Sequence, residues 1–153
     1  MQYDLSEIIP QSPPIRLIDT LEQVNEDQAV CGVKITPEDI FYDKEIKGVY
    51  VWVGIEMMAQ ASAALAYFQG DKEQHAPRRG FMISVRNFKP ERVSFNEGDI
   101  LTVIAKKEMI SDPLGVFLCE IRQEGKCVVS AKFSAYQPSE IEFKQIIQGK
   151  NFD

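Results

Sequence analysis

The chain has 153 residues, room for one domain and little for a second, and a chain this long can bury roughly 70% of its unfolded surface. Hydrophobic residues make up 44% and charged residues 26%, a globular balance that argues against disorder. Lys and Arg total 17 against 23 Asp and Glu, and a net charge of −6 argues against general nucleic-acid binding, which needs a cationic footprint.

No apolar run reaches the ~18 residues that a membrane helix needs. The stretch up to Pro10 carries Asp4 and Glu7 and no basic residue, unlike a secretory signal, so a cytoplasmic location is expected. Cys31, Cys119 and Cys127 are odd in number and form no close pair, which argues against a disulfide framework or a zinc knuckle and for reduced thiols. His75 is the only histidine, so there is no His-rich metal site and at most one imidazole for acid–base work.

The prolines at 10, 13 and 14 form a turn-like cluster in which neither a helix nor an inner strand is regular. Residues 15–24 read as extended, Asn25-Glu26-Asp27 as a turn, and residues 29–35 as the second strand of a hairpin. Residues 36–47 are polar and turn-rich around Ile40-Phe41-Tyr42. Residues 52–69 are rich in Ala and Met and read as a helix, with Gly70 as its stop. Apolar residues point in every direction around it, which predicts one central helix buried on all sides by a sheet. Residues 71–79 form a charged loop. Strands follow at 81–86, 99–109, 115–122 and 127–136, the last three joined by short turns as an antiparallel meander. The order of elements predicts a single α+β domain over 1–153, with 139–153 as a tail or a short helix capped by Ser139 and Glu142.

Glu56 stands out near the start of the apolar helix. A carboxylate there is costly unless it is paired, hydrogen-bonded or close to the helix N-terminus. Burial favours the neutral form of a carboxyl group, which makes such a residue a candidate acid or base. The alternative is a carboxylate that favours the helix start and reaches solvent. Gln60, four residues on, shares its face and is placed to orient or satisfy Glu56. Arg78, Arg79, Arg86, Lys89 and Arg92 form a basic cluster with Glu91 the only acid among residues 78–92. It suits an acidic carrier protein or a pantetheine phosphate, or is simply solvated charge.

Trp52-Val53-Gly54-Ile55-Glu56-Met57-Met58-Ala59-Gln60 resembles the helix motif of hot-dog-fold 3-hydroxyacyl-ACP dehydratases of the FabZ type. The closer likeness is to the ApeP-like proteins of aryl polyene gene clusters, whose helix motif reads Gly-x-Glu-x-Met-Ala-Gln. Ile9-Pro10-Gln11-Ser12-Pro13-Pro14-Ile15-Arg16-Leu17-Ile18-Asp19 resembles their opening Leu-Pro-His-Arg segment. Gly80-Phe81-Met82-Ile83-Ser84-Val85-Arg86 resembles the strand after the helix, and Tyr136-Gln137-Pro138 the ending, so the likeness spans about residues 8–138.

The resemblance implies a hot-dog fold, a long helix wrapped by an antiparallel sheet of five to six strands, working as a homodimer or a heterodimer with another hot-dog protein. It implies a 3-hydroxyacyl-ACP dehydratase acting on phosphopantetheine-linked acyl chains delivered by an acyl carrier protein, with no metal or organic cofactor. By that likeness Glu56 and Gln60 are the catalytic pair, and Gly54, Gln11 and Tyr42 lie on the substrate side; Arg78 and Arg79 are assigned there by the charge of the basic cluster. The two histidine positions of the family fall on Tyr42 and Gln11, and neither residue replaces an imidazole base. A non-catalytic subunit that pairs with an active dehydratase, or an acyl thioesterase, are the alternatives. His75 lies where the family has no catalytic group.

Overall fold

The computed structural model describes residues 3–69, 81–111, 113–138 and 140–149. His75, Arg78, Arg79, the helix stop Gly70 and the proposed cap Ser139 lie outside the described residues.

The chain opens with a single 3-10 turn, Leu5–Glu7, capped by the Asp4 carboxylate on the Ser6 N–H. Strands β1 (Thr20–Val24) and β2 (Gln28–Lys34) form the expected hairpin across Asn25. Asn25 Oδ1 accepts from the N–H groups of Asp27 and Gln28, the side-chain turn that Asn favours. After the short strand β3 (Gly48–Tyr50), a 3-10 turn over Val51–Val53 runs directly into helix α1 (Gly54–Tyr67). Then come β4 (Phe81–Pro90), β5 (Ser94–Asn96), β6 (Ile100–Ser111), β7 (Leu114–Gln123), β8 (Lys126–Tyr136) and helix α2 (Glu140–Ile147).

Six strands form one antiparallel sheet in the order β1-β2-β6-β7-β8-β4. The predicted meander is β6-β7-β8. Its β7–β8 turn is Glu124-Gly125, both at positive φ (51° and 78°), the mirror-image turn whose twist matches a tight hairpin. Burial alternates along the strands. Leu101, Val103 and Ala105 of β6, with Phe117, Cys119 and Ile121 of β7, point at the helix. Helix α1 packs on β6, β2 and β7. Ala61 and Ala64 are wholly buried and let its backbone approach the sheet.

The helix is not enclosed on all sides. Ile55, Glu56, Ala59, Ala63 and Ala66 form a half-buried stripe on the face turned away from the sheet. The reason is geometric: one sheet covers one side of a rod, and the described residues supply no second layer over the other. The sequence also gave no sign of the two-stranded sheet β3-β5, in which buried Val49 pairs with buried Phe95. Among the described residues no helix is long and apolar enough to cross a membrane.

Candidate active site

Glu56 lies in the first turn of α1, where free N–H groups and the helix dipole favour negative charge. It is half-buried. Gln60, one turn further, is wholly buried, and its carboxamide has four partners. Nε2 donates to Glu56 Oε1 at 2.8 Å and to the Ile15 carbonyl at 3.0 Å. Oε1 accepts from the N–H groups of Leu17 at 2.8 Å and Ile18 at 3.3 Å. The segment 15–18 lies outside the sheet, so its backbone groups need such a partner. The amide therefore straps that segment to the helix and fixes one Glu56 oxygen at the same time. Oε2 of Glu56 meets no hydrogen-bond donor among the described residues. The arrangement holds a carboxyl group able to give or take a proton, oriented by an amide that does not titrate.

Gln11 lies four residues before the strapped segment. Its Oε1 is the one buried side-chain polar atom without a hydrogen-bond partner among the described residues. Gly54 opens the helix, and its missing Cβ is needed for packing: a methyl there would stand 2.7 Å from Ile121 Cδ1 and 3.6 Å from the Phe95 ring. Tyr42 is bound elsewhere. Its hydroxyl donates to Glu97 Oε1 at 2.5 Å, and that bond pushes the phenol pKa above its ordinary value. Tyr42 is thus a neutral donor at pH 7 and no base.

Of the basic cluster, Arg92 is committed internally. It pairs with Asp99 at 3.2 Å, donates to the Ser94 carbonyl at 2.8 Å and bonds Gln123 Oε1. Arg86 and Lys89 are exposed on β4. Burial pushes the thiols of Cys31 and Cys119 up to about 12, so neither is a nucleophile near neutrality. Among the described residues no group of three or more His, Cys, Asp and Glu side chains is placed to hold a metal ion.

Two features escaped the sequence reading. One is the strap of residues 15–18, whose only signal was the proline cluster before it. The other is the stacked pair of Tyr50 and Trp52 just ahead of the helix, signalled by the chain's single tryptophan.

The family model of ApeP-like proteins, described as ApeP dehydratase, matches residues 3–148. No match was found among curated proteins. Among solved structures, the dehydratase heterocomplex ApeI:P from Xenorhabdus doucetiae superposes with a TM-score of 0.88 at 22% identity, covering 96% of this chain and 99% of that one. An uncharacterised protein from Pyrococcus horikoshii follows at a TM-score of 0.67 and 13% identity, covering 92% and 96%. A hypothetical thioesterase from Streptococcus pneumoniae, solved with coenzyme A, gives 0.61 at 13% identity, covering 78% and 84%. These likenesses establish the hot-dog architecture, one long helix on an antiparallel sheet. With the family match running through nearly the whole sequence, the chain belongs to the ApeP-like dehydratase family.

Proposed function

We propose that this chain supplies the carboxyl half of a dehydratase site for carrier-bound 3-hydroxyacyl thioesters, and that a second hot-dog protein supplies the imidazole half. The observation that carries the reading is Glu56, oriented by a wholly buried Gln60 on the open stripe of an otherwise covered helix. Gln60 acts as a positioning residue, since its four hydrogen-bonding capacities are used within the chain.

In the reaction a base takes a proton from the carbon beside the thioester. The Glu56 carboxyl group protonates the 3-hydroxyl as it leaves, so that a 2-enoyl thioester and one water form. The N–H groups at the start of α1 face the thioester oxygen and stabilise charge developing there. Gln11 Oε1, a buried acceptor in need of a donor, takes a hydrogen bond from a substrate amide or hydroxyl. The missing imidazole supports a paired assembly. Tyr42, at the family's histidine position, is held as a neutral phenol by Glu97. The half-buried apolar stripe of α1 and the outer edge of β4 are the faces a second hot-dog protein would cover. Arg86 and Lys89 on β4, with Arg78 and Arg79, suit an acidic carrier, and a cytoplasmic location accords with carrier-borne substrates.

The test is mass spectrometry of a carrier-bound 3-hydroxyacyl chain incubated with the purified protein, alone and with a histidine-bearing hot-dog dehydratase. Loss of one water is expected in the mixture, and Glu56→Gln should lower its rate by about 10²- to 10⁴-fold. Release of free acid and carrier thiol would make the protein a thioesterase. Full dehydration with Glu56→Gln would remove Glu56 from the chemistry.

A further inference from the structure

The outer face of the sheet, turned away from α1, carries an apolar row. Along β7, Phe117, Cys119 and Ile121 point at the helix, so Leu114, Val116 and Leu118 point outward. Leu114 is 43% and Leu118 44% exposed, and Met109 of β6, the register partner of Val116, is 49% exposed. The row is one strand wide and roughly 13–14 Å long. Ser134 of β8 and Ser111 of β6, opposite Val116 and Leu114, are short side chains that leave it raised.

Cations flank the row on both sides. Arg86, Lys132, Leu118 and Lys106 are register partners in turn, a single line across β4, β8, β7 and β6. Among the described residues neither Arg86 nor Lys106 pairs with an acid. Lys132 meets Glu108 of β6 at 2.8 Å, a pair that reaches over β7 with side chains 37% and 41% exposed. An ion pair this open to water contributes little, and an incoming carboxylate can take the place of Glu108. On a chain of net charge −6, this is a local excess of positive charge around an apolar line.

We infer that this face docks an acidic amphipathic helix of a partner protein, laid along β7. Helix residues four apart stand about 6 Å apart along the axis, close to the roughly 6.7 Å between alternate residues of a strand. About nine residues of helix span the row, and acids on either side of its apolar stripe reach Lys106 and Lys132. A second copy of this chain fits poorly, because a two-fold pairing of the same face sets cation against cation. A lipid surface gains little from an apolar line one strand wide. The face lies across the sheet from Glu56, so the partner docks without entering the reaction. Arg86 also belongs to the β4 cations assigned above to a carrier, so the test rests on Leu118 and Lys106, which do not.

Fluorescence anisotropy of the full chain with a labelled helical peptide tests this. The peptide carries leucines at alternating third and fourth positions with glutamates on both flanks, and a control carries lysines in place of the glutamates. The glutamate peptide should bind at least about tenfold more tightly than the control. Lys106→Glu should weaken its binding about three- to tenfold and Leu118→Glu at least about tenfold, with far-UV spectra unchanged because both side chains are exposed. No turnover is involved, so the result stands apart from the reading of Glu56. No binding of the glutamate peptide, equal binding of the control, or undiminished binding by Leu118→Glu would each overturn the inference. So would either of two outcomes in place of peptide binding. Capture of phosphatidylglycerol vesicles would make the face a lipid contact, and self-association that Leu118→Glu abolishes would make it a contact between copies.

Discussion

Replacing Gln60 with leucine removes four hydrogen bonds in one step. The N–H groups of Leu17 and Ile18, the Ile15 carbonyl and Glu56 Oε1 all lose their partner. Water reaches some of these groups, so the loss is a fraction of the summed bonds, about 2–4 kcal/mol. A lower urea midpoint with an unchanged slope is the expected measurement. Glu56 and Gln60 were legible in the sequence because polar residues are conspicuous in an apolar helix and their spacing places them on one face. The sequence did not show what else Gln60 holds. Its backbone partners lie 42 to 45 residues earlier, and no local pattern encodes a contact at that separation. Tyr42 likewise matched a motif position in the chain, but Glu97, 55 residues away, decides its protonation and its direction.

Strands β2, β6, β7 and β8 were readable because each buries one face and repeats its apolar residues at period two, and the helix because of its Ala and Met content. Residues 15–19 also looked like a strand, but they lie outside the sheet and are bound by Gln60. β3 and β5 are three residues each, too short for a period to declare itself. They are specified by a contact. The Cβ of an alanine at Gly48 would stand 2.1 Å from the Phe95 carbonyl oxygen, a backbone atom with no freedom to turn aside. Gly48→Ala should therefore separate β3 from β5 and cost about 2–4 kcal/mol, read as a fall in thermal midpoint. Since β3 leads through Tyr50 and Trp52 into α1, the same substitution should disturb the approach to Glu56. Gly32 and Gly54 fill close approaches too, but to side-chain atoms that can move.

The six-stranded sheet ends on β1 at one side and β4 at the other. β1 is five residues long, whereas β4 runs for ten and shows Met82 at 41% and Ile83 at 58% exposure. A long edge with apolar side chains invites another strand. Under the paired assembly proposed above, Ile83→Lys should weaken association at least about tenfold in analytical ultracentrifugation while leaving the far-UV spectrum unchanged. Undiminished association would move the interface away from β4. The sequence by itself determined the α+β class, the helix, the meander and the candidate carboxylate, because each follows from composition, period or spacing between near neighbours. Only the tertiary structure decided which side of the helix stays open, that Gln60 is a clamp, that Tyr42 belongs to Glu97, and that two rings stack ahead of Glu56. Those outcomes depend on residues distant in the chain being brought within hydrogen-bonding or contact range, and that distance is fixed by the sheet order rather than by any local pattern.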